Sequence, residues 1–226
     1  SDKEIRKLAD KAIKSIVKRQ FFISQMANVF YGLSLGSILL LAALGLAITF
    51  GLMGVINMAH GEMIMLGAYS TYVVQNLFKS QFSNWFDWYL IVAIPTAFLI
   101  SALIGILMER TVLRYLYGRP LETLLATWGI SLLIIQTVRL FFGAQNVEVA
   151  NPSFLSGGME VFTGVVFPYS RIAIIIFVIL VVVSVWAALQ KTALGLQVRA
   201  VTQNRSMASC MGISSRRVDM WTFGLG

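Results

Sequence analysis

Three long blocks of this chain carry no charge. Residues 88–108, 123–138 and 172–190 contain no acidic or basic side chain. About 20 apolar residues in a helix cross the hydrocarbon core of a membrane, so each block predicts one spanning helix. Because the blocks are continuously apolar rather than alternating, they indicate helices and not the strands of a barrel. The predicted fold class is therefore all-α, a polytopic transmembrane helical bundle.

A fourth block, residues 20–78, is nearly free of charge and is too long for a single span. Glycines and polar residues at 51–61 divide it, so the pattern predicts one span over about 22–50 and a second over about 62–78. Only His60 and Glu62 interrupt the block as basic or acidic residues. The composition fits a membrane protein, since 58% of residues are apolar and 12% are charged.

The first twenty residues have a different pattern. Apolar side chains recur there at three-to-four spacing, which predicts an amphipathic pre-membrane helix over 1–20 followed by a membrane domain over 21–226. Such a helix could pack its stripe on protein or lie on the membrane surface. The stripe consists of Ile5, Leu8, Ala9, Ala12, Ile13, Ile16 and Val17.

Positive charge is concentrated in two connections between the predicted spans. The net charge is +8, and the loops 109–122 and 191–218 are basic, whereas 79–88 and 144–170 are nearly free of cations. The positive-inside rule therefore places the two basic loops in the cytoplasm. The same rule leaves the side of the N-terminus open. Since the cations flank apolar spans, no nucleic-acid binding is predicted.

The block 20–78 contains the first candidate site. Asn57, His60 and Glu62 lie together at membrane depth, where an ionisable side chain is costly and usually faces a cavity or a partner helix. They predict a polar patch on a translocation path, with two alternatives: an interhelical hydrogen-bond clamp, or a helix start near the interface where Glu62 sits at the positive end of the helix dipole. Neither a CxxC pair nor an HExxH motif occurs, so we predict no metal site and no enzyme activity.

The second candidate site is the basic segment 195–213. It combines small residues, the apolar Met207, Met211 and Ile213, and arginines. Small and apolar residues would offer a docking face, and arginines would steer an acidic partner. An ordinary positive-inside loop is the alternative.

Two motifs carry a resemblance to a known family. INMAHGE at 56–62 and GLQVRAVTQNRSMASCMGISSRRV at 195–218 resemble the permease subunits of bacterial ABC importers for branched-chain amino acids and urea. The resemblance extends over residues 31–226. Together with GRPLETLLATWGISLLIIQ at 118–136, it is closest to the UrtB-type urea permeases of that family.

The resemblance implies a multi-pass subunit in the bacterial cytoplasmic (inner) membrane that conducts urea inward. Its partners would be a second homologous permease of the UrtC type, two cytoplasmic ATPases that bind ATP and Mg²⁺, and a periplasmic substrate-binding protein. This chain would bind no cofactor, since it lacks a GxxxxGK[ST] motif. Residues 1–20 would be the tail of an exported region, and the domain 21–226 would be incomplete at its C-terminal end.

The resemblance also assigns residues to roles. The candidate substrate path contains Asn57, His60 and Glu62. The expected ATPase-coupling loop contains Gly195, Arg199, Ala200, Asn204, Arg205, Ala208 and Gly212. A branched-chain amino acid or short-amide permease is the alternative within the family, and a passive channel is the alternative outside it. Urea is preferred because it is neutral and the spans contain few charges, whereas a zwitterion would prefer a compensating charge or a helix dipole.

Overall fold

A computed structural model of the chain describes residues 2–162 and 165–226, with side chains described from residue 13 onward except at 83–84 and 161–165. The described residues form eight α-helices, with one β-hairpin between the fourth and the fifth helix. The helices are α1 (Asp2–Leu46), α2 (His60–Gln81), α3 (Tyr89–Thr111), α4 (Pro120–Phe142), α5 (Tyr169–Lys191), α6 (Ala193–Gln203), α7 (Arg205–Cys210) and α8 (Ser215–Leu225). The strands β1 (Gly158–Phe162) and β2 (Val165–Pro168) pair antiparallel. The all-α class is confirmed.

Four helical stretches are long and apolar enough to cross a membrane within the described residues: Ile13–Leu52, Trp85–Tyr115, Pro120–Phe142 and Tyr169–Lys191. The last three coincide with the three uncharged blocks. The span expected over 62–78 coincides with α2, which is not among these four stretches. Its interior carries tyrosines, hydroxyl side chains, Gln75 and Asn76, which lower its hydropathy.

The chain forms two compact units. The first comprises Ser1–Leu40 and Ser153–Ile179. Here the β-hairpin contacts α1: the rings of Phe30 and Phe167 stack at 4.2 Å, and the Tyr31 hydroxyl donates to the Val166 carbonyl at 3.4 Å. The Arg171 guanidinium lies 4.8 Å from the centre of the Tyr31 ring. The sequence predicted only an irregular loop over 144–170 and missed this hairpin.

Within the first unit, α1 runs without a break through the boundary expected near residue 20. The predicted stripe residues Ile5, Leu8, Ala9 and Ala12 lie outside the described side chains. Ile13, Ile16 and Val17 are exposed.

The second unit comprises Leu41–Pro152 and Leu180–Gly226. In it α3 packs between α2 and α8. Ser101 on α3 donates to the Met63 carbonyl of α2 at 3.2 Å. On the other side, a Cβ on Gly224 of α8 would lie only 3.0 Å from Ile106 of α3, so the glycine permits a close approach of the two helices. A buried apolar cluster joins α3 and α8 to the segment before α2 and to the turn after α3; it consists of Val55, Ala59, Met108, Leu113 and Phe223.

The segment 191–218 differs from the sequence prediction, which treated it as a loop. It folds into α6, α7 and the start of α8. Each of the first two helices begins at a side-chain cap: the Thr192 hydroxyl accepts from the Gly195 amide at 3.4 Å, and the Asn204 amide oxygen accepts from the Met207 amide at 3.0 Å. Such caps satisfy amides that have no partner inside a helix. We call residues 192–218 the coupling segment.

Candidate functional site

The first candidate site is built around a break between two helices. After α1 the chain makes a π-helical turn (Ala47–Leu52) and then changes direction at Gly54, whose φ is +67°. From there it follows an irregular path to the start of α2 at His60. A non-helical backbone at membrane depth must find hydrogen-bond partners in the protein, because lipid offers none.

Thr127 of α4 supplies two of those partners. Its hydroxyl accepts from the Met58 amide at 3.1 Å, and its own proton can be donated to the Ile56 carbonyl at 3.2 Å or to the Leu124 carbonyl of α4 at 3.0 Å. The Thr127 side chain is fully buried. A single hydroxyl thereby ties the irregular segment 53–59 to α4. Sequence reasoning missed Thr127, although a threonine inside the uncharged block 123–138 was a visible signal.

Asn57 and His60 have structural contacts in this region. The Asn57 side chain is buried, and its Oδ1 accepts from the Ala59 amide at 3.0 Å, which holds the turn before α2. His60 Nε2 contacts the Ala42 carbonyl of α1 at 2.9 Å. Because a carbonyl can only accept, Nε2 must carry the proton. The two side chains therefore hold the backbone around the break, and their role on a substrate path stays a prediction.

Glu62 differs from its two neighbours because it faces a cavity. It lies in the first turn of α2, and its Oε2 is buried without a hydrogen-bond partner among the described residues. A cavity of about 340 Å³ opens beside it, between α2 and the end of α4. The lining includes the apolar Met65, Ile135 and Val138, and also Arg139.

Farther along α2, buried polar groups hold the chain that follows α4. Gln75 is fully buried, and its Oε1 accepts from the Ala150 amide at 2.7 Å. The Tyr89 hydroxyl donates to the Ala150 carbonyl at 2.5 Å. Since both backbone groups of Ala150 are bound, the connection after α4 is fixed against α2 and α3. Sequence reasoning did not single out Gln75.

The second candidate site, the coupling segment, has its own small core. Val198, Val201, Ala208 and Val218 form a buried cluster, and Ala200 packs against it. Ala208 and Ala200 thus let α6, α7 and α8 approach one another instead of forming an exposed face. The Thr202 hydroxyl also lies 3.0 Å from the Leu52 carbonyl and 2.8 Å from the Val198 carbonyl of α6, which share it as a donor, so α6 contacts the turn after α1.

Two glycines of the coupling segment have backbone roles. A Cβ on Gly195 would overlap the Leu189 carbonyl at the end of α5, so only glycine allows this sharp junction. Gly212 has φ +84°, in the left-handed region that glycine adopts without strain. Both expected coupling residues therefore shape the segment.

Arg205 is bound inside the second unit. Its guanidinium donates to both Asp219 carboxylate oxygens, at 2.7 and 2.9 Å, and lies 4.7 Å from the centre of the Tyr117 ring. The Tyr117 hydroxyl in turn donates to Glu109 at 3.4 Å. This cluster links the coupling segment to the end of α3. We call Arg205, Asp219, Tyr117 and Glu109 the latch.

Burial governs the acid–base behaviour of the latch. It raises the pKa of the Asp219 carboxyl, although the hydrogen bonds and charge of Arg205 act in the opposite direction. Burial also raises the pKa of the Tyr117 phenol, and the nearby Asp219 and Glu109 charges add to that effect. The Arg205–Asp219 pair therefore only partly offsets the cost of burying the carboxylate.

The exposed surface of the coupling segment combines many polar and basic residues with three large apolar side chains. Leu196, Met207 and Met211 are all more than half exposed. Arg199 is exposed along its length, with its guanidinium donating to the Leu189 carbonyl, and Asn204 caps α7. Of the expected ATPase-coupling residues, Arg199, Asn204, Arg205 and Gly212 are exposed, whereas Gly195 and Ala208 are buried and Ala200 is half-buried. The docking role itself stays a prediction.

Comparison with known families and proteins gives a consistent result. Residues 28–226 match the family described as "Branched-chain amino acid transport system / permease component". The chain is 28% identical over 210 residues to the high-affinity branched-chain amino acid transport system permease protein BraD of Pseudomonas aeruginosa, covering 91% of this chain and 67% of BraD.

Two further relatives carry related names. The permease protein LivH of Escherichia coli is 28% identical over 213 residues, with 91% of this chain and 67% of LivH covered. The probable branched-chain amino acid transport permease LivH of Methanocaldococcus jannaschii is 26% identical over 196 residues, covering 83% and 58%. No solved structure matches the chain significantly.

Proposed function

We propose that this chain, which belongs to the permease-component family of branched-chain amino acid transport systems, is the permease subunit of an ATP-driven importer for branched-chain amino acids in the cytoplasmic membrane. The observation that carries the proposal is the family match over residues 28–226, combined with four membrane-length helices. The chain is a membrane transport protein, and its relatives are named as permeases rather than enzymes.

The substrate proposal replaces the urea expectation. The family description and the names of the relatives refer to branched-chain amino acids, so they favour the alternative that the sequence left open. No finding supports the UrtB type. The argument for urea was the lack of charge in the spans, and that argument weakens because Glu62 and Arg139 line one cavity.

Energy would come from partner ATPases acting on the coupling segment. We propose that they contact its exposed surface, formed by Leu196, Arg199, Met207 and Met211. From there, two connections lead into the membrane helices. One is the Thr202–Leu52 hydrogen bond to the turn after α1, and the other is the packing of α8 on α3. A shift of the segment would therefore be transmitted to the turn after α1 and to α3. A second permease and a substrate-binding protein complete the proposed assembly.

Uptake in cells tests the proposal. Cells that express the full-length permease with its partners are supplied with labelled leucine, in the presence of excess unlabelled leucine, isoleucine or urea. We expect leucine and isoleucine to suppress the signal and urea to leave it unchanged. An ATPase partner that cannot hydrolyse ATP should abolish uptake. Competition by urea alone would restore the urea assignment, and uptake without ATP hydrolysis would indicate a passive channel.

The docking surface has a separate test with a matched control. Met211→Asp adds a charge to the exposed surface of the coupling segment, and Met159→Asp adds the same charge to the exposed side of β1. We expect the ATPases to be lost from the purified complex only with Met211→Asp. Retention of the ATPases by both variants would remove Met211 from the docking surface.

A further inference from the structure

We infer that the cavity between α2 and α4 binds a zwitterionic α-amino acid, with Glu62 holding the ammonium group and Arg139 holding the carboxylate. This inference rests on the proposed function and assigns the site and the chemistry that would recognise the substrate. It concerns residues 61–69 of α2 and 135–146 at the end of α4 and beyond it, all within the second unit.

The first observation is the juxtaposition of opposite charges without an ion pair. Glu62 and Arg139 line the same cavity, yet no salt bridge joins them, and neither has another charged partner among the described residues. Glu62 Oε2 is also buried without a hydrogen bond. Intramembrane charges usually pair with one another or mark a substrate pathway. Two separated, unpaired and opposite charges on one cavity are complementary to a ligand that carries both signs.

The second observation is the size and lining of the cavity. Its volume of about 340 Å³ lies in the range of small-molecule sites, about 300–1,000 Å³. Met65, Ile135 and Val138 form an apolar wall that suits a branched aliphatic side chain. A neutral, purely polar amide such as urea would leave this wall without contact and both charges without a counter-charge.

The third observation is how the cavity is held in shape. One wall begins at the helix break, which is fixed by Thr127 and by the contact of His60 with Ala42. On α2, Tyr69 also lines the cavity, and its ring lies 4.6 Å from that of Phe142 at the end of α4. Packing at both ends therefore sets the spacing of α2 and α4, and a shift of either helix would change the distance between the two charges.

Binding of labelled leucine to the purified complex, prepared without the substrate-binding protein, tests the inference. Leucinol keeps the ammonium group but lacks the carboxylate, and 4-methylpentanoate keeps the carboxylate but lacks the ammonium group. We expect both analogues to compete at least about tenfold more weakly than leucine, because each lacks one charge-assisted hydrogen-bonded pair. Equal competition by either analogue would overturn the assignment without any variant.

Variants then show whether Glu62 binds the ammonium group of leucine and Arg139 its carboxylate. Glu62→Gln and Arg139→Gln should each weaken leucine binding about tenfold or more. Glu62→Gln should also remove most of the preference for leucine over 4-methylpentanoate, and Arg139→Gln most of the preference over leucinol. Glu148→Gln and Arg110→Gln are matched controls, since both positions are exposed and outside the cavity lining, and they should bind leucine normally.

The outcomes separate this inference from the proposed function. If ATP-driven leucine uptake occurs but Glu62→Gln and Arg139→Gln bind leucine normally, the cavity assignment is wrong and the transport proposal stands. In that case Arg139 would instead bind lipid headgroups. If the wild-type complex shows neither uptake nor binding of leucine, the substrate proposal itself fails.

Discussion

In the latch, replacing Arg205 should cost more stability than replacing Asp219. The Asp219 side chain is 4% exposed, whereas that of Arg205 is 43% exposed. Arg205→Met leaves a buried carboxylate without its partner. Asp219→Asn leaves a half-exposed guanidinium that water can still solvate. The two substitutions remove the same ion pair, but only the first strands a buried charge.

The expected magnitudes follow from that difference. Removing one partner of a fully buried pair costs about 3–5 kcal/mol. Because Arg205 is partly solvated, we reduce this figure to about 2–3 kcal/mol for Arg205→Met. For Asp219→Asn we expect about 1 kcal/mol, the usual worth of lost hydrogen bonds. The double variant should cost less than Arg205→Met alone, since it contains no buried charge.

The pH dependence has a definite sign. Without Arg205 the pKa of Asp219, already raised by burial, rises further, so the folded protein binds more protons than the unfolded protein above the unfolded pKa. Stability of Arg205→Met should therefore fall as pH rises, and the variant should be less impaired at pH 5 than at pH 8. The neighbouring Glu109 and Tyr117 are common to all variants compared.

The assay is denaturant unfolding of the purified permease in detergent micelles, with wild type, both single variants and the double variant at two pH values. A greater loss of stability for Asp219→Asn than for Arg205→Met would refute the reasoning. So would a double variant as impaired as the sum of the two single ones, because it would show that the residues do not interact.

Two further predictions concern backbone geometry. Thr127→Val removes the hydroxyl that binds segment 53–59 and leaves the Met58 amide without its acceptor, so it should lower the unfolding free energy by about 1–3 kcal/mol. Thr127→Ser keeps the hydroxyl and should keep most of the stability. Equal stability of the two variants would contradict the role of the hydroxyl. Gly195→Ala forces a Cβ into the Leu189 carbonyl and should reduce the yield of assembled complex. Gly129→Ala is the control, because a Cβ there meets nothing within 4 Å, and it should assemble normally. Normal assembly of both variants would show that the α5–α6 junction tolerates a side chain.

The membrane-spanning blocks were predictable from the sequence because their signal is local. Three uncharged blocks coincide with α3, α4 and α5, since lipid imposes a length and a composition on any helix that crosses it. The helix break was also visible, in the glycines of 51–61. α2 was less predictable, because its polar interior is satisfied by tertiary partners such as Ala150, which hydropathy does not reveal.

The sites were less predictable because they depend on contacts between distant residues. The arginines and glycines of 191–218 suggested a loop, although Thr192 and Asn204 were readable as caps for α6 and α7. Nothing local indicated that Arg205 binds Asp219. Likewise only the packing of α2 and α4 brings Arg139, at the end of an uncharged block, to the cavity of Glu62.

The central claim is tested most directly with the purified full-length permease and its partners in proteoliposomes. Loaded substrate-binding protein is supplied outside and ATP inside, and labelled leucine and labelled urea are compared as cargo. We predict ATP-dependent accumulation of leucine above its external concentration and none of urea. Accumulation of urea, or leucine movement that merely equilibrates without ATP, would contradict an ATP-driven branched-chain amino acid permease.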